Sequence, residues 1–231
     1  MIYTFWEGKM PAYIKLCMQT WKHDYTMLTY DNLNQYTDLP IDKLRKHFTL
    51  PQVADIVRVH VLRDNGGYWL DTDTIMITDE LPTENMMGFV EERTNTIGYL
   101  YTEAHSDMFE AWANYQDHIM KRADLGNISL TWDIVGNRFT DPYVMNYRNI
   151  SICDVSNKWA ETYMIDDLMS RYDKYRRLYF GTSYKLSDFK PTNMLMLHNS
   201  WTPQWYKDIA TKEEVLSEAC TLSNILREVI K

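Results

Sequence analysis

The sequence predicts an α/β domain built on a doubly wound sheet, and three observations carry that expectation. A strand, a helix and a second strand follow one another within roughly the first thirty residues, the opening of a sheet whose helices cover its faces. Farther on, a broad-faced helix halts at a glycine pair and feeds a short apolar strand, Tyr68 to Leu70. The length of 231 residues suits one large α/β domain with a substantial core.

Taken in order, Ile2–Trp6 (IYTFW) reads as the first strand. Pro11 starts a helix with Ile14, Leu16, Cys17, Met18 and Trp21 as its apolar residues, and Tyr25–Asp31 reads as the second strand. Doubly wound sheets bind ligands at the carboxyl ends of their strands, where Trp6 and Asp31 stand. Gln52–Asp64 is helical, with Val53, Ile56, Val57, Val61 and Leu62 on a wide apolar face. Asn65-Gly66-Gly67 stops it, since glycine supplies the left-handed closing turn at low cost. Thr74–Thr78, Met86–Glu92 and Thr96–Thr102 read as strands, and Ser106-Asp107 caps a helix running to about Arg122. Ser129–Val144 reads as helical, stopping at Asp141-Pro142. Asn193–Trp201 (NMLMLHNSW) is a late strand that breaks into a polar tip, and Thr211–Lys231 closes the chain as one capped amphipathic helix. Repeats and low-complexity linkers are absent, so one continuous domain is expected.

Composition excludes several classes. A net charge of −8 and a pI near 5.2 argue against a nucleic-acid binder. The three cysteines, Cys17, Cys153 and Cys220, are far apart and form no CxxC pair, which points away from a disulfide framework or a zinc site. No run of 18 apolar residues occurs, and the MIYTFWEG start lacks a signal-peptide pattern, so a cytoplasmic protein, soluble or peripheral, is expected.

The chemistry concentrates in Gly66–Thr74, GGYWLDTDT. Strand alternation would send Asp71 and Asp73 to one face, where two carboxylates repel unless a cation or proton joins them. Oxygen ligands of this kind select hard cations. An EF-hand fails, because its sixth and twelfth positions hold Met76 and Pro82. An aspartyl-nucleophile phosphatase loop nearly fits, but Ile75 stands where a hydroxyl is usual, and two strands precede the motif. Upstream, Asp55 and Arg58 lie three apart on one helix face; alone, they would read as a surface salt bridge.

Together, ADIVRVHVLRDNGGYWLDTD has the form [SA]-D-x-x-R-x-x-x-L-x-x-x-GG-x-x-x-D-x-D. This resembles the DxD signature of sugar-nucleotide glycosyltransferases of the family 32 type, which includes capsular-polysaccharide transferases and has the catalytic domains of large glucosylating toxins as relatives. TFWEG and LHNSW are similar to that family's opening strand and late Ser-Trp segment. The resemblance implies a GT-A type, Rossmann-like nucleotide-sugar-binding domain with a mostly parallel central sheet. Residues 1–105 would be its nucleotide-sugar half, and 106–231 its acceptor-side half with the terminal helix. It further implies a retaining, metal-dependent transfer of a hexose, glucose or galactose, from a UDP-sugar to a glycan or lipid-linked glycan acceptor in capsule or exopolysaccharide synthesis. The metal would be Mn²⁺ or Mg²⁺.

By the same resemblance, Trp6 would stack on uracil, Asp55 would hold sugar hydroxyls, and Arg58 would reach the sugar and diphosphate. Asp73 would ligate the metal, with Asp71 reaching ribose, sugar or metal through water. His198 or Asn199 would complete the metal shell, while Ser200 and Trp201 would close over the diphosphate. The family often shows two histidines and a longer gap before its Ser-Trp. VGNRFT (Val135–Thr140) is similar to its TGP-x-x-x-T segment, with Asn137 in place of proline, which brings Asp133, Gly136 and Asn137 to the acceptor side. An inactive nucleotide-sugar-binding protein and a phosphatase are the alternatives. Lys174–Lys185 interleaves basic and aromatic residues, a pattern suited either to a solvated helix face or to contact with the inner membrane surface.

Overall fold

Two sheets organise the chain. The computed structural model describes residues 1–81, 86–91, 94–146, 151–154, 170–189 and 193–230. Glu92, expected at the end of a strand, lies outside them. The strands are β1 (Ile2–Phe5), β2 (Tyr25–Leu28), β3 (Gly67–Leu70), β4 (Thr74–Met76), β5 (Met86–Glu91), β6 (Thr94–Thr102), β7 (Ser151–Asp154) and β8 (Met194–Met196). The helices are α1 (Ala12–Gln19), α2 (Ile41–His47), α3 (Leu50–Asn65), α4 (Asp107–Asp124), α5 (Asn137–Asn146), α6 (Arg171–Phe180), α7 (Gln204–Lys207), α8 (Lys212–Ser217) and α9 (Thr221–Val229).

The first compact unit takes Met1–Gly8, Asp24–Asp71 and Leu81–Cys153. The second takes Lys9–His23, Thr72–Glu80 and Asp154–Lys231. Neither coincides with residues 1–105 or 106–231, because the chain passes between the units several times.

The first unit holds a six-stranded sheet in the order β2-β1-β3-β6-β5-β7. Its parallel part is β2-β1-β3, with Ile2 opposite both Tyr25 and Tyr68; beyond β3 the pairings with β6 and β5 are antiparallel. The expected α/β class is thus observed, with an antiparallel extension on one side of the parallel core. β1 is buried along its whole length, as suits a strand inside a parallel stack. Helix α3 sets Val53, Ile56, Val57 and Val61 into a core shared with Trp69, Leu100, Trp112 and Ile119. A Thr49–Gln52 capping box starts α3. Gly66 and Gly67 end it with φ of 65° and 96°. A Cβ on Gly66 would lie 2.6 Å from the Ala104 nitrogen, and one on Gly67 would lie 2.6 Å from the Met1 carbonyl oxygen. Both glycines are therefore required twice over, by backbone conformation and by space.

The second unit pairs β4 with β8 antiparallel, Thr74 opposite Met196. Helix α1 is tied to this ribbon through its C-terminal residues. The Trp21 indole donates to the Thr74 carbonyl at 2.8 Å, and the Thr20 hydroxyl accepts from the Met76 N–H at 2.8 Å. Tyr13, Ile14 and Cys17 of α1, Tyr206 of α7 and Leu222, Ile225 and Leu226 of α9 are buried.

Three local expectations are corrected. Ser129–Gly136 forms irregular and turn structure, and the helix begins only at Asn137 and continues through Pro142. The proline stands in the second helical turn, where it forfeits the N–H that would otherwise bond the Arg138 carbonyl. The C-terminal segment is two helices, not one. Glu218 turns extended (ψ 139°), and Ser223, one turn into α9, donates its hydroxyl to the Val215 carbonyl of α8 at 2.6 Å. Finally, Asp71 and Asp73 do not share a strand face. β3 ends at Leu70 and β4, in the other sheet, begins at Thr74, so both aspartates sit in the intervening turn.

Candidate functional site

In the first unit the site is built around one buried cation. Arg58 is only 4% exposed, and its guanidinium bridges Asp55 at 2.9 Å and Asp71 at 3.1 Å. Its Nε donates to the Ala54 carbonyl at 3.3 Å and Nη1 to the Ile97 carbonyl, while the group lies 5.2 Å from the Trp69 ring centre. The surface salt bridge that the i,i+3 spacing would otherwise suggest is therefore excluded. A desolvated arginine is tolerated here because two carboxylates and two carbonyls share it.

Asp71 is fixed on the other side by Trp69, whose indole donates to the same Oδ1 at 2.8 Å. Residues two apart on a strand point to one face, which is why the tryptophan reaches it. The Asp71 backbone N–H donates to the Gly98 carbonyl at 2.8 Å, so the turn leaves the sheet only after that bond. Oδ1 of Asp71 is thus doubly engaged, and its side chain is 32% exposed. Asp55 is more enclosed. Burial pushes its carboxyl up to about 7, against the pull of Arg58 and with the Asp71 charge adding to the rise.

Gly136 closes on Asp55. A Cβ there would stand 3.0 Å from Asp55 Oδ2 and 2.8 Å from Ile97 Cδ1. Gln116, fully buried on α4, holds the two segments together by donating to the Asp55 carbonyl at 2.9 Å and the Val135 carbonyl at 2.6 Å. Sequence reasoning missed Gln116; a lone glutamine on an apolar helix face carries no motif. Asp133 does not join this group. It accepts from Thr131 at 2.7 Å and pairs with Arg138 at 3.0 Å, and the Thr131 hydroxyl, with Arg138, holds its carboxyl below the usual range. Asn137 opens α5, and its carbonyl accepts from the Thr140 hydroxyl at 3.3 Å. Trp6 follows β1 and is half-buried, and its indole N–H is buried without a hydrogen-bond partner among the described residues.

The second unit presents the other aspartate. Asp73 is 9% exposed, and its Oδ2 accepts the Asn199 backbone N–H at 2.8 Å. Its carbonyl accepts the Leu197 N–H at 3.1 Å, which carries the β4–β8 pairing up to the turn. Asn199 Oδ1 accepts from the Tyr13 hydroxyl at 2.5 Å. Burial above all, and then the Asp73 charge, push Tyr13 far above the ordinary tyrosine range, so it stays a donor. The His198 ring lies tilted against Trp201 with centres 4.2 Å apart, and Tyr175 packs against both. Ser200 is exposed at the tip of this turn.

As a donor set for a cation, the Asp73 carboxylate and the Asn199 amide oxygen are hard oxygens. They suit a magnesium- or manganese-type ion that keeps water or ligand oxygens in its remaining positions. Among the described residues no three His, Cys, Asp or Glu side chains come together as a metal centre. The protein therefore fits such a cation only with outside oxygens completing the shell.

A profile of the family described as "Capsular polysaccharide synthesis protein" matches residues 1–215. Among curated proteins none matches this sequence. A solved structure titled "PaToxG Glycosyltransferase" is similar over 63% of this chain and 68% of its own, at 14% identity and a TM-score of 0.42. That likeness is too low to carry an argument.

Proposed function

The chain belongs to the capsular polysaccharide synthesis protein family, and from that premise we propose that it is a glycosyltransferase. It moves a hexose, glucose or galactose, from a UDP-sugar to a glycan or lipid-linked glycan acceptor, with retention of anomeric configuration, in a GT-A type fold. The observation that carries the reading is the Asp71-Thr72-Asp73 turn with both carboxylates held in place: Asp71 by Arg58 and Trp69, Asp73 by the Asn199 N–H.

Breaking the bond between the anomeric carbon and the diphosphate builds negative charge on the leaving group. A divalent cation, Mn²⁺ or Mg²⁺, held by Asp73 with Asn199, His198 or Asp71 as further donors, would supply Lewis-acid stabilisation of that charge. Arg58 spends most of its donors on protein groups, so it positions Asp55 and Asp71 and reaches the sugar and diphosphate side with what remains. Asp55 binds sugar hydroxyls, and Asp71 reaches sugar or ribose directly or the metal through water. Trp6 stacks on the base, and Ser200 and Trp201 close over the diphosphate. The acceptor hydroxyl attacks from the leaving-group face and passes its proton to a diphosphate oxygen, so no enzymic base is required. Gly136 and Asn137 border the acceptor side; Asp133, spent on Arg138 and Thr131, shapes the loop.

Among the described residues no helix is long and apolar enough to cross a membrane. We place the protein in the cytoplasm, in peripheral contact with the inner membrane face through Lys174–Lys185, where a lipid-linked acceptor would lie.

Incubation with UDP-glucose and UDP-galactose in Mn²⁺, with UDP release as the readout, tests the reading. Release that stops on addition of EDTA supports it. Tight UDP binding without turnover would identify an inactive nucleotide-sugar binder, and hydrolysis of p-nitrophenyl phosphate with indifference to UDP would identify a phosphatase.

A further inference from the structure

Among the described residues, two cations in the second unit have no carboxylate partner. Arg176 on α6 sits 4.3 Å from the centre of the Tyr172 ring, and its Nε donates to the Trp201 carbonyl at 3.1 Å. That carbonyl belongs to the His198–Thr202 turn, whose Asn199 N–H holds the Asp73 carboxylate at 2.8 Å. One side of the turn thus carries the carboxylate and the other the guanidinium. The guanidinium lies over the Tyr172 ring, and its two terminal nitrogens make no hydrogen bond among the described residues.

Lys207 ends α7, directly after the same turn, and is half-buried. Burial first, and then the field of Arg176, hold it below the ordinary lysine range, while Asp73 pulls the other way. Lys207 lies one helical turn after Pro203, where its N–H donates to the Pro203 carbonyl at 3.2 Å, so both cations border the His198–Thr202 turn. Neither cation joins any of the ion pairs among the described residues. In a chain with 32 acidic residues and a net charge of −8, carboxylates to neutralise them are abundant. Two half-buried cations bordering one turn favour an anion that joins them. A planar guanidinium and a point-charge ammonium together grip phosphate oxygens, one in a fork and one from any direction.

We propose that Arg176 and Lys207 are the cation pair that holds the diphosphate of the donor nucleotide, on the same turn that carries Asp73's partner Asn199. This rests on the donor being a nucleoside diphosphate sugar, as proposed above. The pair takes up part of the negative charge that grows on the leaving group, and it retains affinity for the diphosphate when no metal is present.

Isothermal titration of the full chain with UDP, UMP and uridine, in Mn²⁺ and again in EDTA, reads this directly. UDP binds more tightly than uridine in both media. Arg176→Gln and Lys207→Met each weaken UDP by about 10-fold or more, as expected for losing a hydrogen bond to a charged group, and leave uridine unchanged. Lys207→Arg restores most of the UDP affinity. Unchanged UDP affinity in both folded variants, checked by circular dichroism, overturns the proposal. So does an equal loss for uridine, or a wild type that binds UDP no better than uridine. If no nucleotide binds at all, the donor reading fails, and inorganic pyrophosphate decides the remainder: binding lost in both variants keeps the cation pair as a diphosphate site, and no binding to the wild type removes it.

Discussion

Replacing Arg58 by methionine removes the buried cation shared by Asp55, largely enclosed, and Asp71, 32% exposed. Asp55 at 2.9 Å and Asp71 at 3.1 Å lose their partner, and the Ala54 and Ile97 carbonyls lose a donor. Breaking a buried pair in this way costs about 3–5 kcal/mol, because the charges left behind stay desolvated. The pH dependence provides the signature. Asp55 is raised to about 7 in the fold, so between the ordinary carboxylate range and that value the folded chain keeps a proton that the unfolded chain has lost. Stability therefore falls as pH rises across that window, by up to about 1.4 kcal/mol per unit. Without Arg58 the folded pKa moves higher still, and the window extends upward. Urea unfolding of both proteins, followed by circular dichroism, should show a deficit of about 3–5 kcal/mol for Arg58→Met at pH 8 that shrinks by pH 5.5. A deficit below about 1 kcal/mol at pH 8, or one of equal size at both pH values, refutes the idea that Arg58 braces two ionised carboxylates.

Asp73→Asn should abolish Mn²⁺-dependent UDP release while leaving the melting temperature near wild type; full activity in that variant removes Asp73 from the site. Trp6→Ala should weaken UDP by about 1–3 kcal/mol, the worth of one aromatic stack on a base, and an unchanged titration isotherm would exclude the stack. Gly136→Ala drives a methyl to 2.8 Å from Ile97 and 3.0 Å from Asp55 Oδ2. A stability loss of about 1–3 kcal/mol with a raised KM for donor is expected, and wild-type values for both would show that the loop yields freely. Flotation with anionic liposomes tests Lys174–Lys185: the protein should rise with the vesicles at low salt and return to the soluble fraction at high salt, and recovery wholly in solution at low salt rejects membrane contact.

Helix α3 and its stop were readable in advance because local forces decide them. The apolar spacing of Val53, Ile56, Val57 and Val61 and the obligatory glycines at 66 and 67 act over a few residues. The Ser129–Gly136 stretch was not readable in the same way. Its apolar residues fit a helix, but Gln116 and Trp112 bind the Val135 carbonyl from α4, and those tertiary bonds outweigh local preference. The Glu218 break has a similar origin in the Ser223 bond to Val215.

By itself, the sequence marked Asp55, Arg58, Asp71 and Asp73 as candidates, at spacings set by a helix, a glycine turn and a short strand. The structure joins Asp55, Arg58 and Asp71 within one unit and holds Asp73 on Asn199 within the other. Alternation wrongly placed the two aspartates on one strand face, since a two-residue period cannot reveal that a strand stops between them and a new sheet begins. Only the tertiary structure decided how they differ: Arg58 and Trp69 claim one oxygen of Asp71, whereas Asn199, 126 residues away, holds Asp73. It also set Arg176 and Lys207 beside the Asn199 turn, with no carboxylate partner among the described residues. Burial and charge balance are sums over neighbours that no local pattern contains.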